Sequence, residues 1–223
     1  MKCISRNAWP GRYGALGLVF LLLASWAYAE ERFENMDLKA LSAQAAQWKE
    51  RLDQNPSDYE ALRNLGIVYH DMAIRDSKAC GKKAVRHLEQ AHQKKPDDSV
   101  VLCYLGSSYT ILAKDASDLS QQSKDVNKGI ETMDKAVNKD PDNLTVRLIR
   151  ANNSKGLPRF LNRRSTAYED FEHVADLFEK GLKVPSQLKA SVYQSLADLY
   201  KEDGNPAEAK KYQTKADTVQ KEK

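Results

Sequence analysis

Leu38, Leu41, Ala45, Trp48 and Leu52 recur at spacings of three and four, which places them on one stripe of an amphipathic helix. The same period returns down the chain, and no stretch alternates apolar and polar residues as a half-buried strand would. The pattern predicts helices over 36–54, 58–75, 78–94, 99–114, 121–139, 143–154, 166–183, 187–203 and 206–220. The expected fold class is all-α. Ser57-x-x-Glu60, Thr166-x-x-Glu169 and Asn205-Pro206-x-Glu208 read as helix starts, where a side-chain oxygen and a returning carboxylate meet free amide groups.

The N-terminus follows another pattern. Lys2, Arg6 and Arg12 precede an uncharged apolar run, Gly14 to Ala27, which ends in Ala27-Tyr28-Ala29. That order reads as a secretory signal peptide cleaved after Ala29, with a retained anchor as the alternative. The run has 14 residues, short of the roughly 20 needed to cross a bilayer. The expectation is a periplasmic or secreted protein with no stable membrane span after cleavage.

Within the remaining chain the helices repeat. Leu62-x-x-Leu65-Gly66-x-x-Tyr69 recurs 40 residues later as Leu102-x-x-Leu105-Gly106-x-x-Tyr109, and more loosely as Tyr193-x-x-Leu196-Ala197-x-x-Tyr200. A second signature follows each of the first two copies: Ala84, Leu88, Ala91 and Pro96, then Gly129, Met133, Ala136 and Pro141. This arrangement resembles the tetratricopeptide repeat (TPR), a unit of about 34 residues built from two antiparallel helices. The segment from Val126 to Phe171 also resembles a stretch of small exported bacterial members of that family. The resemblance implies an α-solenoid of about nine helices. Residues 1–29 would be the signal peptide, 30–57 a linker and capping helix, and 58–223 the repeat domain, with units at 58–96, 99–141, 143–184 and 187–220.

Charge changes the picture mainly by exclusion. The chain carries 35 Lys and Arg against 31 Asp and Glu, a formal +4, and loss of residues 1–29 would remove three bases and no acid, leaving +1. Clustered positive charge, on which nucleic-acid binding depends, is then missing. Cys80 and Cys103 are expected near opposite ends of a helix pair, about 18 Å apart at 1.5 Å per residue, too far to bridge. The four histidines show no metal-ligand spacing. No nucleophile motif or phosphate loop is present. The expectation is a non-catalytic protein without cofactor or metal, whose partner is a protein or peptide.

Two candidate sites follow. Solenoids of this kind bind on the concave face lined by the first helix of each unit, and the resemblance assigns Glu60, Arg63, Ile67 and His70, then Cys103, Tyr104 and Ser107, then Asn152 to that groove, with Val100, Thr110, Thr145, Leu148 and Lys155 beside them. An ordinary solvated face is the competing reading. The second site lies in the third unit, which places Arg147, Arg150-Ala151 and Ser154 where the pattern has a bulky residue, Leu-Gly and Tyr. Arg147, Arg150, Asn153, Arg159, Arg163 and Arg164 are either an anion or peptide-carboxylate pocket, serving a small-ligand sensor, or a polar network closed by Asp134, Glu169 and Asp170.

Overall fold

A computed structural model describes residues 36–75 and 78–221. The signal-peptide reading of residues 1–29 lies outside the described residues. Among them are nine α-helices, and no strand: α1 Leu38–Gln54, α2 Tyr59–Ile74, α3 Lys78–Lys94, α4 Ser99–Lys114, α5 Leu119–Lys139, α6 Leu144–Gly156, α7 Arg164–Glu179, α8 Ser186–Glu202 and α9 Pro206–Lys221. A single 3-10 turn, Arg159–Leu161, joins α6 to α7. The dominant packing is between α2 and α3, α4 and α5, α6 and α7, and α8 and α9, with α1 laid against α2. This is a solenoid of antiparallel helix hairpins.

The starts of the inner helices share one chemistry. Asp58, Asp98 and Asn143 each accept a hydrogen bond from the backbone amide three residues on, at 3.1, 2.9 and 3.2 Å. Each follows a proline by two residues, Pro56, Pro96 and Pro141. Asp58, rather than the expected Ser57, therefore caps α2, with its carboxylate against the amides of the first turn. α7 begins at Arg164 without a side-chain cap, so the Thr166 box is not its start. The same helix stops at Glu179, short of the expected residue 183. Gly181, at φ 97°, turns the chain there, and the Leu182 amide bonds back to the Leu177 carbonyl at 2.9 Å. A left-handed residue with that long backbond is the Schellman ending, which glycine makes at least cost.

The small residues of the repeat sit where backbones nearly touch. A Cβ on Gly106 would lie 2.8 Å from the Gly129 carbonyl oxygen and from the Met133 amide, and one on Gly129 would lie 2.6 Å from the Gly106 oxygen. α4 and α5 thus cross in direct backbone contact, which no rotamer change could preserve with a larger residue. Around this crossing runs the larger apolar cluster, which includes Leu62, Leu88, Tyr109, Met133 and Val146. A second cluster joins α6 to α9 through Ala151, Phe171, Leu196 and Tyr212. Helix α1 contributes a third, in which Leu41 and Ala45 meet Leu65 and Val68.

Tyrosines tie neighbouring hairpins together. The Tyr59 hydroxyl of α2 donates to the Asp98 carboxylate that caps α4, and the Tyr200 hydroxyl of α8 donates to Glu172 of α7. Cys80 and Cys103 are both buried thiols. Burial pushes the Cys103 thiol far above its ordinary value, and it donates to the Val146 carbonyl oxygen at 3.4 Å. It is a core residue rather than a reactive one.

Candidate binding groove

The inner helices α2, α4 and α6, together with the segment entering α8, enclose a groove of about 670 Å³. His70, Tyr104, Ser107, Thr110, Thr145, Leu148 and Asn152, all expected on the concave face, line it. Others do not. Ile67 and Cys103 are fully buried in the larger apolar cluster, because the helices cross closely enough to turn those positions inward. They are corrected from groove residues to core. Arg63 is buried, with its Nε 3.7 Å from Asp98, so it braces the junction of the first two hairpins. Glu60 is half-buried and lies outside the lining.

The structure adds walls that the repeat positions do not include. Ile74, Lys114 and Gly156 line the groove one helical turn beyond His70, Thr110 and Asn152, and the four-residue step was available as a signal. Val184 and Pro185 of the α7 to α8 connection close it together with Leu188 in the first turn of α8. No repeat position marks that connection. The lining is mainly apolar, with a polar floor at one end.

His70 organises that floor. Its Nδ1 lies 3.0 Å from the Asp71 carboxylate and its Nε2 lies 2.9 Å from the Ser107 hydroxyl. Tyr104 meets the imidazole edge-on at 5.0 Å between ring centres. The Asn153 amide donates to Ser107 at 3.3 Å and to Thr110 at 2.6 Å, and the Thr110 hydroxyl donates to the Ser107 carbonyl oxygen at 2.8 Å. Asp71, His70 and Ser107 therefore have the connectivity of an acyl-transfer triad. Ser107, however, lies in the middle of α4, where backbone amides are committed to the helix and are not free to receive an oxyanion. The network reads instead as a rigid polar platform.

The arginine-rich third unit is closed by acids. Buried Asp170 accepts from Arg147 Nη1 at 2.6 Å and from Arg150 Nε and Nη2 at 2.7 and 2.8 Å. Asp134 pairs with Arg150 at 3.0 Å and Arg163 at 2.5 Å, while Glu169 reaches both Arg147 and Arg150. Burial works against the charge on Arg150, but the hydrogen bonds and charges of Asp170 and Asp134 outweigh it and raise its pKa. At the next junction Arg159 and Arg164 share Asp203 at 3.1 and 2.9 Å, and Arg164 also meets Glu202 at 2.8 Å. Five arginines thus face five carboxylates. Asn153 faces the groove floor and belongs to neither set. The expected anion pocket is corrected: Arg147, Arg150 and Arg163 are paired at the seam where the two large apolar clusters meet, and Arg159 and Arg164 are paired with acids at the next junction.

Among the described residues no group of three His, Cys, Asp or Glu side chains converges as metal ligands. No helix among them is long and apolar enough to cross a membrane.

Comparison with known proteins now bears on this geometry. The family model described as "Plant specific mitochondrial import receptor subunit TOM20" matches residues 40–158. The chain belongs to that family. A tetratricopeptide-repeat model also matches residues 190–223. No curated protein matches the chain. Among solved structures, a thermophilic TPR protein of Thermus thermophilus is similar at a TM-score of 0.62 with 19% identity, covering 88% of this chain and 87% of that one. MamA is similar at a TM-score of 0.56 with 17% identity, covering 84% of this chain and 96% of that one. At these identities the likeness is one of fold, and it makes the chain a TPR solenoid. Proteins of this kind typically serve as protein-binding scaffolds rather than enzymes. The family match overturns the expected periplasmic or secreted location, since the family is that of a mitochondrial receptor subunit and not of a bacterial exported protein.

Proposed function

We propose that this chain is a non-catalytic, receptor-type scaffold that holds a segment of another protein in the groove between α2, α4, α6 and the start of α8. The observation that carries this reading is the groove itself, about 670 Å³ with a mainly apolar lining and one fixed polar end. A helix laid in such a groove buries apolar anchors spaced three, four and seven residues apart, while the platform at His70 and Ser107 discriminates among its polar groups. Membership of a family described as an import receptor subunit supports the same role, since a receptor must receive segments of other chains.

The test is binding of the full chain to synthetic amphipathic peptides, followed by fluorescence anisotropy, beside Leu148→Glu. Leu148 is half-buried on the groove wall, at the margin of the second apolar cluster, so the substitution sets a carboxylate among the apolar groups of the lining, and the fold of the variant is checked by circular dichroism. Binding lost in the folded variant supports the proposal, and binding that survives Leu148→Glu refutes it.

A further inference from the structure

The polar platform at the end of the groove has spent its donors. Asp71 offers His70 a carboxylate, which accepts, so His70 Nδ1 carries the imidazole proton and Nε2 accepts from the Ser107 hydroxyl. The Thr110 hydroxyl gives its proton to the Ser107 carbonyl oxygen, and the Asn153 amide gives its two to the Ser107 and Thr110 hydroxyls. Every donor proton of these side chains is therefore used inside the platform. What remains is of one kind. Asp71 Oδ2 and Asn153 Oδ1 are buried atoms that accept no hydrogen bond among the described residues. Asp71 is only 7% exposed, and both residues line the groove, so an occupant pressed onto the floor lies against them. An acceptor left unpaired away from water is costly, and a carboxylate oxygen more so than an amide oxygen.

We infer that the segment this groove accepts interrupts its apolar face with one neutral hydrogen-bond donor, a side-chain carboxamide, which donates to Asp71 Oδ2. The inference rests on the groove reading above and names the polar anchor of the occupant. The platform selects through what it lacks. A carboxylate arriving there finds no proton and meets a like charge, while a purely apolar anchor leaves Oδ2 unpaired. An ammonium could donate, but it would have to shed its hydration to reach a buried oxygen, which costs an ion far more than an amide.

A helical peptide with a leucine stripe, in which one anchor at a time is replaced by Gln, Glu, Met or Lys, decides the matter. Each peptide is titrated by fluorescence anisotropy against the full chain and against Asp71→Asn, whose fold is checked by circular dichroism. The substitution keeps the shape and the oxygen that His70 meets, and puts an N–H where Oδ2 stands. At the register that meets the platform, Gln is expected to bind wild type about threefold tighter than Met and more than about tenfold tighter than Glu. Asp71→Asn erases that margin and moves the preference toward Glu. The wild-type ordering stands as a test whether or not the variant folds. Gln no tighter than Met at every register, Lys the tightest, or a margin of Gln over Glu that folded Asp71→Asn leaves unchanged overturns the carboxamide inference while leaving the groove reading in place. Failure of the whole set to bind overturns the groove reading itself.

Discussion

Asp170→Ala tests whether the third unit is held by ion pairs that are out of water. Asp170 has no exposed surface and accepts three charge-assisted bonds, one from Arg147 and two from Arg150. Both arginines are themselves buried. Removing one partner of a buried pair costs about 3–5 kcal/mol, because the other charge is left without compensation. Here Glu169 and Asp134 still reach the two guanidinium groups, and Glu169 is largely exposed and so hydrated. The expected loss is therefore near the lower end, about 3 kcal/mol. With a urea slope of about 2 kcal/mol per molar, the unfolding midpoint falls by about 1.5 M. Circular dichroism in urea measures that fall, and amide exchange should place it in α6 and α7, since solenoid hairpins lose stability locally. A companion variant, Asp170→Leu with Arg147→Met and Arg150→Met, removes charge and counter-charge together and should unfold near wild type or above it. A loss below about 1 kcal/mol for Asp170→Ala would mean that water already pays for these charges, and the account of the seam would be wrong.

Other substitutions probe the remaining parts. Gly106→Ala forces its Cβ against the Gly129 oxygen and the Met133 amide and should cost about 1–3 kcal/mol in thermal unfolding; an unchanged melt would show that α4 and α5 separate freely. Asp58→Ala removes the α2 cap and its 2.6 Å pair with Arg51, with an expected loss of about 1 kcal/mol. The Arg164 hydrogen bond, working against burial, holds Asp203 below the ordinary carboxylate value of 3.8. Its stabilisation is present above that value and is lost as pH falls through the lower folded one, so Asp203→Asn should show a shallower acid decline than wild type in denaturant midpoints measured from neutral pH downward. Burial, helped by the Asp203 hydrogen bond and charge, pushes the Tyr168 phenol up to about 12, and in the same Asp203→Asn variant its ultraviolet titration should move down; a stationary titration would leave burial as the whole cause.

Much of this architecture is written locally. Helices are set by the three- and four-residue apolar period and ended by prolines, so eight of the nine lie within about three residues of where the pattern puts them. The exception, α7, ends four residues early because glycine at 181 makes a Schellman turn that the apolar pattern runs straight through. The Leu-Gly pairs mark the close crossings, since a missing Cβ has a packing reason readable in one dimension. Asp134, Glu169 and Asp170 could be named as partners for Arg147 and Arg150, because buried guanidinium groups demand carboxylates nearby.

What one dimension does not carry is the angle at which hairpins stack. That angle turned Ile67 and Cys103 into the core, brought the α7 to α8 connection over the groove and set His70 of one hairpin against Ser107 of the next, 37 positions away. It also decided that five arginines, which in sequence could as readily greet an anion, would meet the fold's own acids instead. Local propensity depends on neighbours three and four residues away and is legible in the chain. A binding surface is a sum of contacts between helices dozens of residues apart, and only packing in three dimensions determines which side chains remain facing outward.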